Sequence, residues 1–129
     1  MILVVNVILH AIHIGVILIN VLGWIPRGTR VVQRWTIGLT LVSWLGLSPW
    51  YGLGYCFLTE WHWRVMRAQG RTGLPGSYTE LLLETLTGRD VSAESVAVLT
   101  AVGLAFGVAG CIAISVRARR RRRRYEGSR

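Results

Sequence analysis

The stretch that decides the fold is SVAVLTAVGLAFGVAGCIAISV at 95–116, which leads directly into RARRRRRR at 117–124. It contains no charged residue, and neither do two earlier stretches, 1–26 and 35–59. Each of the three is long enough for the roughly 20 residues that an α-helix needs to cross about 30 Å of hydrocarbon. The sequence therefore predicts an all-α integral membrane bundle of three transmembrane helices. We expect the spans at about 2–24, 35–56 and 94–116.

The charged residues predict how these spans are oriented. Three arginines follow the first span and eight follow the third, whereas 57–94 holds four arginines against five acidic residues. Basic residues beside membrane spans favour the cytoplasmic side. We therefore expect a multi-pass protein of the bacterial inner membrane with its amino terminus outside. A single membrane domain at 1–116 would be followed by a basic cytoplasmic tail at 117–129.

The arginines of the tail are predicted to anchor the third span and to contact anionic lipid headgroups. Nucleic acid is not an expected partner, because no folded nucleic-acid-binding module accompanies the charges. The anchoring residues are Arg117, Arg119, Arg120, Arg121, Arg122, Arg123 and Arg124.

The outer segment at 57–93 is predicted to contain two short amphipathic helices. Thr59 as N-cap and Gly70 as the residue beyond the end bound the first helix. Ser77 starts a capping box, and the helix that follows stops at Gly88. About ten residues are too few to cross a bilayer, so the second helix should lie on the outer surface or cap the bundle.

A polar stripe marks the first span. Asn6, His10, His13 and Asn20 fall within an arc of about 80° at 100° per residue. Polar groups are costly against lipid, so the stripe should face the bundle interior or a partner. Interhelical hydrogen bonding is the favoured interpretation. The candidate partners in the second span are Thr36, Thr40 and Ser43.

His10 and His13 are also candidate cofactor ligands. They could ligate a metal together with Cys56 or His62, serve as axial ligands of haem, relay protons, or bind a quinone headgroup. A haem held by two histidines normally uses two helices, and neither of the other spans offers a histidine at comparable depth. No metal site is therefore assigned, and haem, metal and quinone remain alternatives for this pair.

A second cluster lies at the outer mouth of the second span. It brings a thiol, a carboxylate and an imidazole together in Cys56, Thr59, Glu60 and His62. Catalysis by Cys and His needs contact in space, and Glu60 and His62 point to different faces of a helix. We assign no catalytic residue here. Cys56 and Cys111 are expected to be free thiols, because they lie near opposite ends of their spans.

The third span repeats small residues every four positions, which lets helix backbones approach closely. One ridge consists of Gly103, Gly107, Cys111 and Ser115. A second consists of Ala97, Ala101, Ala105, Ala109 and Ala113. Two ridges are more than three helices need, so we expect self-association or other membrane subunits as partners.

One part of the chain resembles a known family. The run GLGYCFLTEWHW at 52–63, LPGSY at 74–78 and LTGRDVSA at 86–93 resemble the bacterial membrane proteins of domain of unknown function 2784, in its Bacteroidetes-type branch. Phe57 stands where that family often has proline. The resemblance implies the membrane architecture and no reaction. It marks four positions for testing, namely His13, Cys56, Thr59 and Glu60.

These patterns predict a small, non-enzymatic accessory or structural subunit of a larger membrane complex. An energy-transducing complex, respiratory or photosynthetic, is one setting for such a subunit. The first alternative is a membrane redox protein that binds haem, metal or quinone through the histidines of the first span. The second alternative is a small transporter or channel lined by the polar stripe.

Overall fold

The structure, a computed structural model, describes residues 1–51 and 54–127, and every regular element within them is helical. The predicted all-α class is confirmed. Six α-helices and one π-helical turn are found in the described residues. In chain order they are α1 (Ile2–Leu22), α2 (Arg30–Leu41), the π-helical turn (Val42–Gly46), α3 (Ser48–Tyr51), α4 (Phe57–Ala68), α5 (Tyr78–Thr87) and α6 (Ala93–Glu126).

Helices α1 and α6 are the two described helices that are long and apolar enough to cross a membrane. Only 11% of the most apolar window of α1 and 6% of that of α6 are buried inside the protein. The core helix of a soluble protein would be mostly buried, so these fractions favour apolar surroundings. The two helices suggest a membrane protein. The third predicted span is not confirmed.

The second apolar stretch differs from the single span predicted at 35–56. Helix α2 begins earlier, at Arg30, because Thr29 Oγ1 and Arg30 Nε donate to the carbonyls of Gly23 and Trp24 at the end of α1, at 2.7 and 3.1 Å. It then widens into the π-helical turn, and the chain bends at Leu47 before α3. Proline lacks the amide hydrogen that would continue the helix, and Pro49 lies in α3. Residues 52 and 53, within the predicted span, lie outside the described residues.

The outer segment forms two helices, of which the first differs at its start from the prediction. Helix α4 begins at Phe57 with Cys56 as N-cap, whereas Thr59 was expected to cap it. Thr59 lies within the first turn and is buried, because it faces α1. The second helix follows the prediction, since the Ser77 hydroxyl accepts from the Glu80 amide and Gly88 ends α5 in the left-handed region at φ 66°.

Helix α6 runs without interruption from Ala93 into the arginine segment and ends only at Glu126. It approaches α1 most closely at Gly107, where an added Cβ would collide with the backbone carbonyl of Asn20. At Gly110 an added Cβ would lie 2.6 Å from the indole ring of Trp24. The absence of side chains at these two positions therefore sets the spacing of the two long helices.

Candidate functional site: a histidine cluster between α1, α4 and α5

The two faces that form the cluster follow from helical periodicity. On α4 the buried residues are Thr59, His62, Trp63 and Met66, at spacings of three and four that place them on one side. The opposite side of α4 is exposed and carries Arg64 and Arg67. The buried side of α4 lies against the polar stripe of α1. This packing brings His62 of α4 together with His10 and His13 of α1.

Hydrogen bonds fix the orientation of the histidines of α1. The Nδ1 atom of His13 lies 2.9 Å from the carbonyl oxygen of Leu9, so Nδ1 carries the proton. Its Nε2 atom is then an acceptor for the Thr59 hydroxyl, at 3.4 Å. His10 joins α5 to the cluster, because its Nδ1 atom lies 2.9 Å from the hydroxyl of Tyr78. Both histidines of the first span are therefore tied to groups of the same chain.

His62 is the centre of the cluster and is fully buried, with 0% of its surface exposed. Its Nε2 atom donates to Oδ1 of Asn6 at 2.7 Å, which leaves Nδ1 as an acceptor. That Nδ1 atom is buried and has no hydrogen-bond partner in the structure. Asn6 and His62 thus form the shortest polar link between α1 and α4.

The aromatic rings pack against one another. The ring of His62 lies edge-on to that of His10, with centroids 4.4 Å apart. The ring of His13 stacks on that of Tyr78 at 4.0 Å. Tyr78 also belongs to a small apolar core with Trp63 and Met66. Stacked and edge-on rings of this kind exclude water and stabilise contact between helices.

This packing keeps His62 neutral. Burial, and then repulsion from the imidazoles of His10 and His13 when these are protonated, lower the pKa of His62 from 6.5 to about 4. Burial also raises the pKa of the Tyr78 hydroxyl above its ordinary value. At neutral pH His62 and Tyr78 are therefore uncharged hydrogen-bonding groups.

The cluster does not have the geometry of a metal site. The three imidazoles lie against each other by edges and faces, and their nitrogens are directed to four different partners or to none. Among the described residues, no group of three His, Cys, Asp or Glu side chains is placed to hold a metal ion. Thr59 and His62, two members of the predicted outer-mouth cluster, belong to this histidine cluster because α4 packs on α1.

The other two members of the predicted outer-mouth cluster lie apart from the histidines. Cys56 is the N-cap residue of α4 and has a free thiol, as has Cys111. Glu60 faces away from His62 and pairs with Arg64 and Arg67 at 3.3 and 3.1 Å. Thiol, carboxylate and imidazole are therefore not assembled into one site.

The chain matches one known family. The sequence profile described as "Protein of Unknown function (DUF2784)" matches residues 3–117, which is most of the chain. The protein belongs to this family. No curated protein gives a significant match to the chain. No solved structure does so either. The family-matched region contains the whole histidine cluster, and its name assigns no activity.

Asn20, the last residue of the polar stripe, belongs to a separate contact near the other end of α1. Its Nδ2 atom donates to Oγ1 of Thr40 at 2.9 Å. Gln33 is fully buried beside it and donates to the carbonyls of Asn20 and Gly107, at 3.2 and 3.4 Å. Three helices of the family-matched region, α1, α2 and α6, therefore meet at the Gln33 amide. Thr36 and Ser43 bond instead to the carbonyls of Gln33 and Tyr55.

The small residues of α6 lie on two sides of the helix. The ridge that contains buried Gly107 turns inward, with Gly103, Cys111 and Ser115 half-buried. All five alanines of the other ridge are exposed. The tail arginines Arg117 and Arg119 to Arg124 are exposed as well, on the helical extension of α6.

Sequence reasoning missed two members of these contacts. Gln33 lies before the predicted second span, which begins at Trp35 because Arg34 is the last arginine of the loop. Tyr78 follows the predicted capping residue Ser77, and the sequence pattern gives it no partner. His62 was among the predicted residues, and its helical face, which it shares with Thr59 and Met66, is the signal that could have indicated its contact with α1.

Proposed function

We propose that this protein is a non-enzymatic, multi-pass membrane protein that serves as an accessory or structural subunit of a larger membrane assembly. The observation that carries the proposal is the internal pairing of the polar stripe. Asn6, His10, His13 and Asn20 each bond to a residue of another helix of the same chain. Side chains paired in this way cross-link helices, and in membranes such bonds contribute about 0.6–2 kcal/mol each.

The proposed topology has three spans, with the second formed by α2, the π-helical turn and α3. Non-helical or widened backbone is tolerated at membrane depth where other helices cover it. The distribution of arginines supports an outer position for 57–93 and a cytoplasmic position for 117–127 in the bacterial inner membrane. In this arrangement α1 and α6 run parallel. Their contacts are consistent with that, since Gly103 lies by Val21 and Gly110 by Trp24.

The exposed alanine face of α6 is the proposed docking surface. Alanines at every fourth position let another helix approach closely, and the described part of the chain leaves this face uncovered. The inward ridge already serves α1. A partner helix from another subunit, or from a second copy, would use the outward ridge.

Copurification after gentle solubilisation tests this proposal. We expect a fixed set of larger subunits, or a defined homo-oligomer, to accompany the wild-type chain. Ala101→Phe on the alanine face should release the partner, whereas Leu99→Phe, which adds bulk to another exposed side, should not. A monomer that migrates alone under every mild condition would contradict the proposal, and so would partner loss in both variants.

The alternative is a membrane redox protein, favoured by one observation, the unpartnered Nδ1 atom of buried His62. A quinone or a haem propionate cannot reach it without displacing packed rings. One cavity beside α1 and α4, of about 440 Å³, is an apolar groove lined by Leu9, Trp61 and Arg64 among others, and its lining includes none of the histidines. A Soret band, stoichiometric metal, or extractable quinone in purified protein would favour this alternative over the structural role.

A further inference from the structure

A cavity of about 500 Å³ lies at the arginine-rich end of the bundle, between α2 and α6. This volume lies within the range of about 300–1,000 Å³ that is usual for small-molecule sites. The lining residues are Arg34, Cys111, Ser115, Ala118 and Arg119. The lining of this open groove therefore includes two exposed arginines, a serine and a free cysteine.

The two arginines of this cavity are not neutralised by the protein. Within the described residues the ion pairs use Glu60 and Glu126, and none of them includes Arg34 or Arg119. Two positive charges that line one cavity repel each other. An anion bound between them would remove that repulsion, so the cavity favours a negatively charged ligand.

Hydrogen bonds and helical spacing position the groups of the cavity. Arg34 Nη2 crosses from α2 to α6 and lies 3.4 Å from Oγ of Ser115. The Ser115 hydroxyl in turn donates to the carbonyl of Cys111 at 2.8 Å. Arg119 lies one helical turn beyond Ser115, on the same side of α6. Arg119 therefore occupies the next position after Ser115 in the four-residue repeat of the inward ridge.

The height of the cavity along α6 indicates where the ligand comes from. The uncharged stretch of α6 ends at Val116, between Ser115 and Arg119. Trp35, the neighbour of Arg34, is 71% exposed, and tryptophan is enriched where membrane spans meet the headgroup layer. If α6 crosses a bilayer as proposed above, the cavity opens at the level of the lipid phosphates.

We infer that this cavity binds the phosphodiester group of an anionic phospholipid. A guanidinium presents paired N–H donors that match phosphate oxygens, and basic pockets between helices on the cytoplasmic side are suited to lipid headgroups. Arg34 and Arg119 provide the charge, and Ser115 holds Arg34 against α6. This site depends on the proposed membrane topology and is independent of any partner subunit.

Native mass spectrometry of the full chain in mild detergent tests the site, with phosphatidylglycerol and phosphatidylcholine added in parallel. We expect phosphatidylglycerol to be retained preferentially. The double variant Arg34→Gln with Arg119→Gln should weaken its binding by about tenfold or more, since each charged hydrogen bond contributes on the order of a factor of ten. The matched control, Arg120→Gln with Arg123→Gln, removes the same charge outside the cavity and should change binding by less than about threefold.

Three results would overturn the assignment. Equal losses in both double variants would mean that the tail attracts lipid without a specific site. Equal retention of phosphatidylcholine would mean that negative charge is not recognised. Displacement of the lipid by millimolar inorganic phosphate would assign the cavity to a soluble anion. Circular dichroism in detergent establishes that the variants remain helical.

Carbonate extraction separates a failure of this site from a failure of the proposed topology. Release of the chain into the alkaline supernatant would contradict the proposed membrane topology, whatever lipid is bound. A chain that stays in the membrane pellet, with equal lipid binding in the two double variants, would overturn the headgroup site alone.

Discussion

Gly103 and Gly107 lie one turn apart on the same ridge of α6, yet they have different amounts of space. A Cβ at Gly107 would collide with the carbonyl of Asn20, which belongs to the backbone and cannot swing aside. A Cβ at Gly103 would lie 3.6 Å from a methyl group of Val21, an ordinary contact. The close approach of α1 and α6 therefore depends on one residue more than on the repeat as a whole.

This difference predicts that two matched substitutions lower stability by different amounts. Gly107→Ala should separate α1 from α6 and lower the free energy of unfolding by about 1–3 kcal/mol or more, the usual range for overpacking. Gly103→Ala should change it by less than about 0.5 kcal/mol. Equilibrium unfolding in mixed micelles measures both. Similar effects of the two variants would show that the ridge does not contact α1 as described.

His62 predicts how stability depends on pH. The pKa of its imidazole is near 6.5 in the unfolded chain and about 4 in the folded protein. Between these values the unfolded state binds a proton that the folded state does not. Stability should therefore be complete above pH 6.5 and fall as the pH drops towards 4, by on the order of 2 kcal/mol.

The variant His62→Gln provides the comparison for this pH effect. Glutamine can still donate to Asn6 but does not titrate, so the variant should show a shallower dependence between pH 6.5 and 4. Thermal unfolding in detergent at pH 7.5, 6 and 5 measures the two slopes, with His10 and His13 present in both proteins. Parallel slopes would place the titrating group elsewhere.

Helix α5 shows how a short element is held at both ends. The Ser77 hydroxyl accepts from the amide of Glu80 at 3.2 Å, and the Glu80 carboxylate accepts from the amide of Gly76 at 3.1 Å. Gly88 ends the helix with a positive φ. The caps hold Tyr78 in the first turn of α5, where it reaches the histidines of α1.

The N-cap predicts a measurable loss when it is removed. Ser77→Ala should lower the free energy of unfolding by about 1 kcal/mol, because the amide of Glu80 loses its acceptor. Thr79→Ala in the same turn leaves the cap intact and is the control, with an expected change within about 0.5 kcal/mol. Losses of equal size would indicate that general helix propensity, and not the cap, determines the effect.

Sequence patterns predicted the elements that local rules determine. Helices α1 and α6 follow from uninterrupted apolar stretches, and α5 follows from its cap residues, so their positions needed no tertiary information. The early start of α2 was not predictable in this way, because Thr29 and Arg30 bond to carbonyls of α1. Pro49 indicates an interruption in this stretch, but its form as a π-helical turn at Val42–Gly46 does not follow from the residue pattern.

The histidine cluster could be predicted only in part, because local patterns do not determine contacts between distant helices. The polar stripe of α1 has a helical period, so its inward orientation could be derived from spacing alone. Its partners could not, because the pairs Asn6 with His62 and His10 with Tyr78 are 56 and 68 residues apart in the chain. Which helix covers the stripe depends on where α4 is placed relative to α1, and no local pattern determines that placement.

The whole molecule has polar contacts at two levels along α1. The histidine cluster joins the first half of α1 to α4 and α5, and the Gln33 contact joins its second half to α2 and α6. Between these levels α1 is apolar, from Ile14 to Ile19. The proposed topology places the first level towards the outer surface and the second towards the cytoplasm.

Cysteine labelling tests this orientation, in a chain that carries Cys56→Ser and Cys111→Ala. An impermeant maleimide added outside the cell should react with Thr72→Cys, in the exposed joint between α4 and α5, and should miss Gly28→Cys. Both thiols should react after the membrane is permeabilised, which is the control. The reverse pattern would invert the topology, and labelling of both from outside would exclude it.

The Gln33 contact also sets an order of events during synthesis. Its amide reaches a carbonyl that lies 74 residues further along the chain, at Gly107. When the first two apolar segments leave the ribosome, that acceptor has not been made, so of the two acceptors of the Gln33 amide only the carbonyl of Asn20 exists at that stage. The contact that joins α1, α2 and α6 is therefore completed only after α6 has been made.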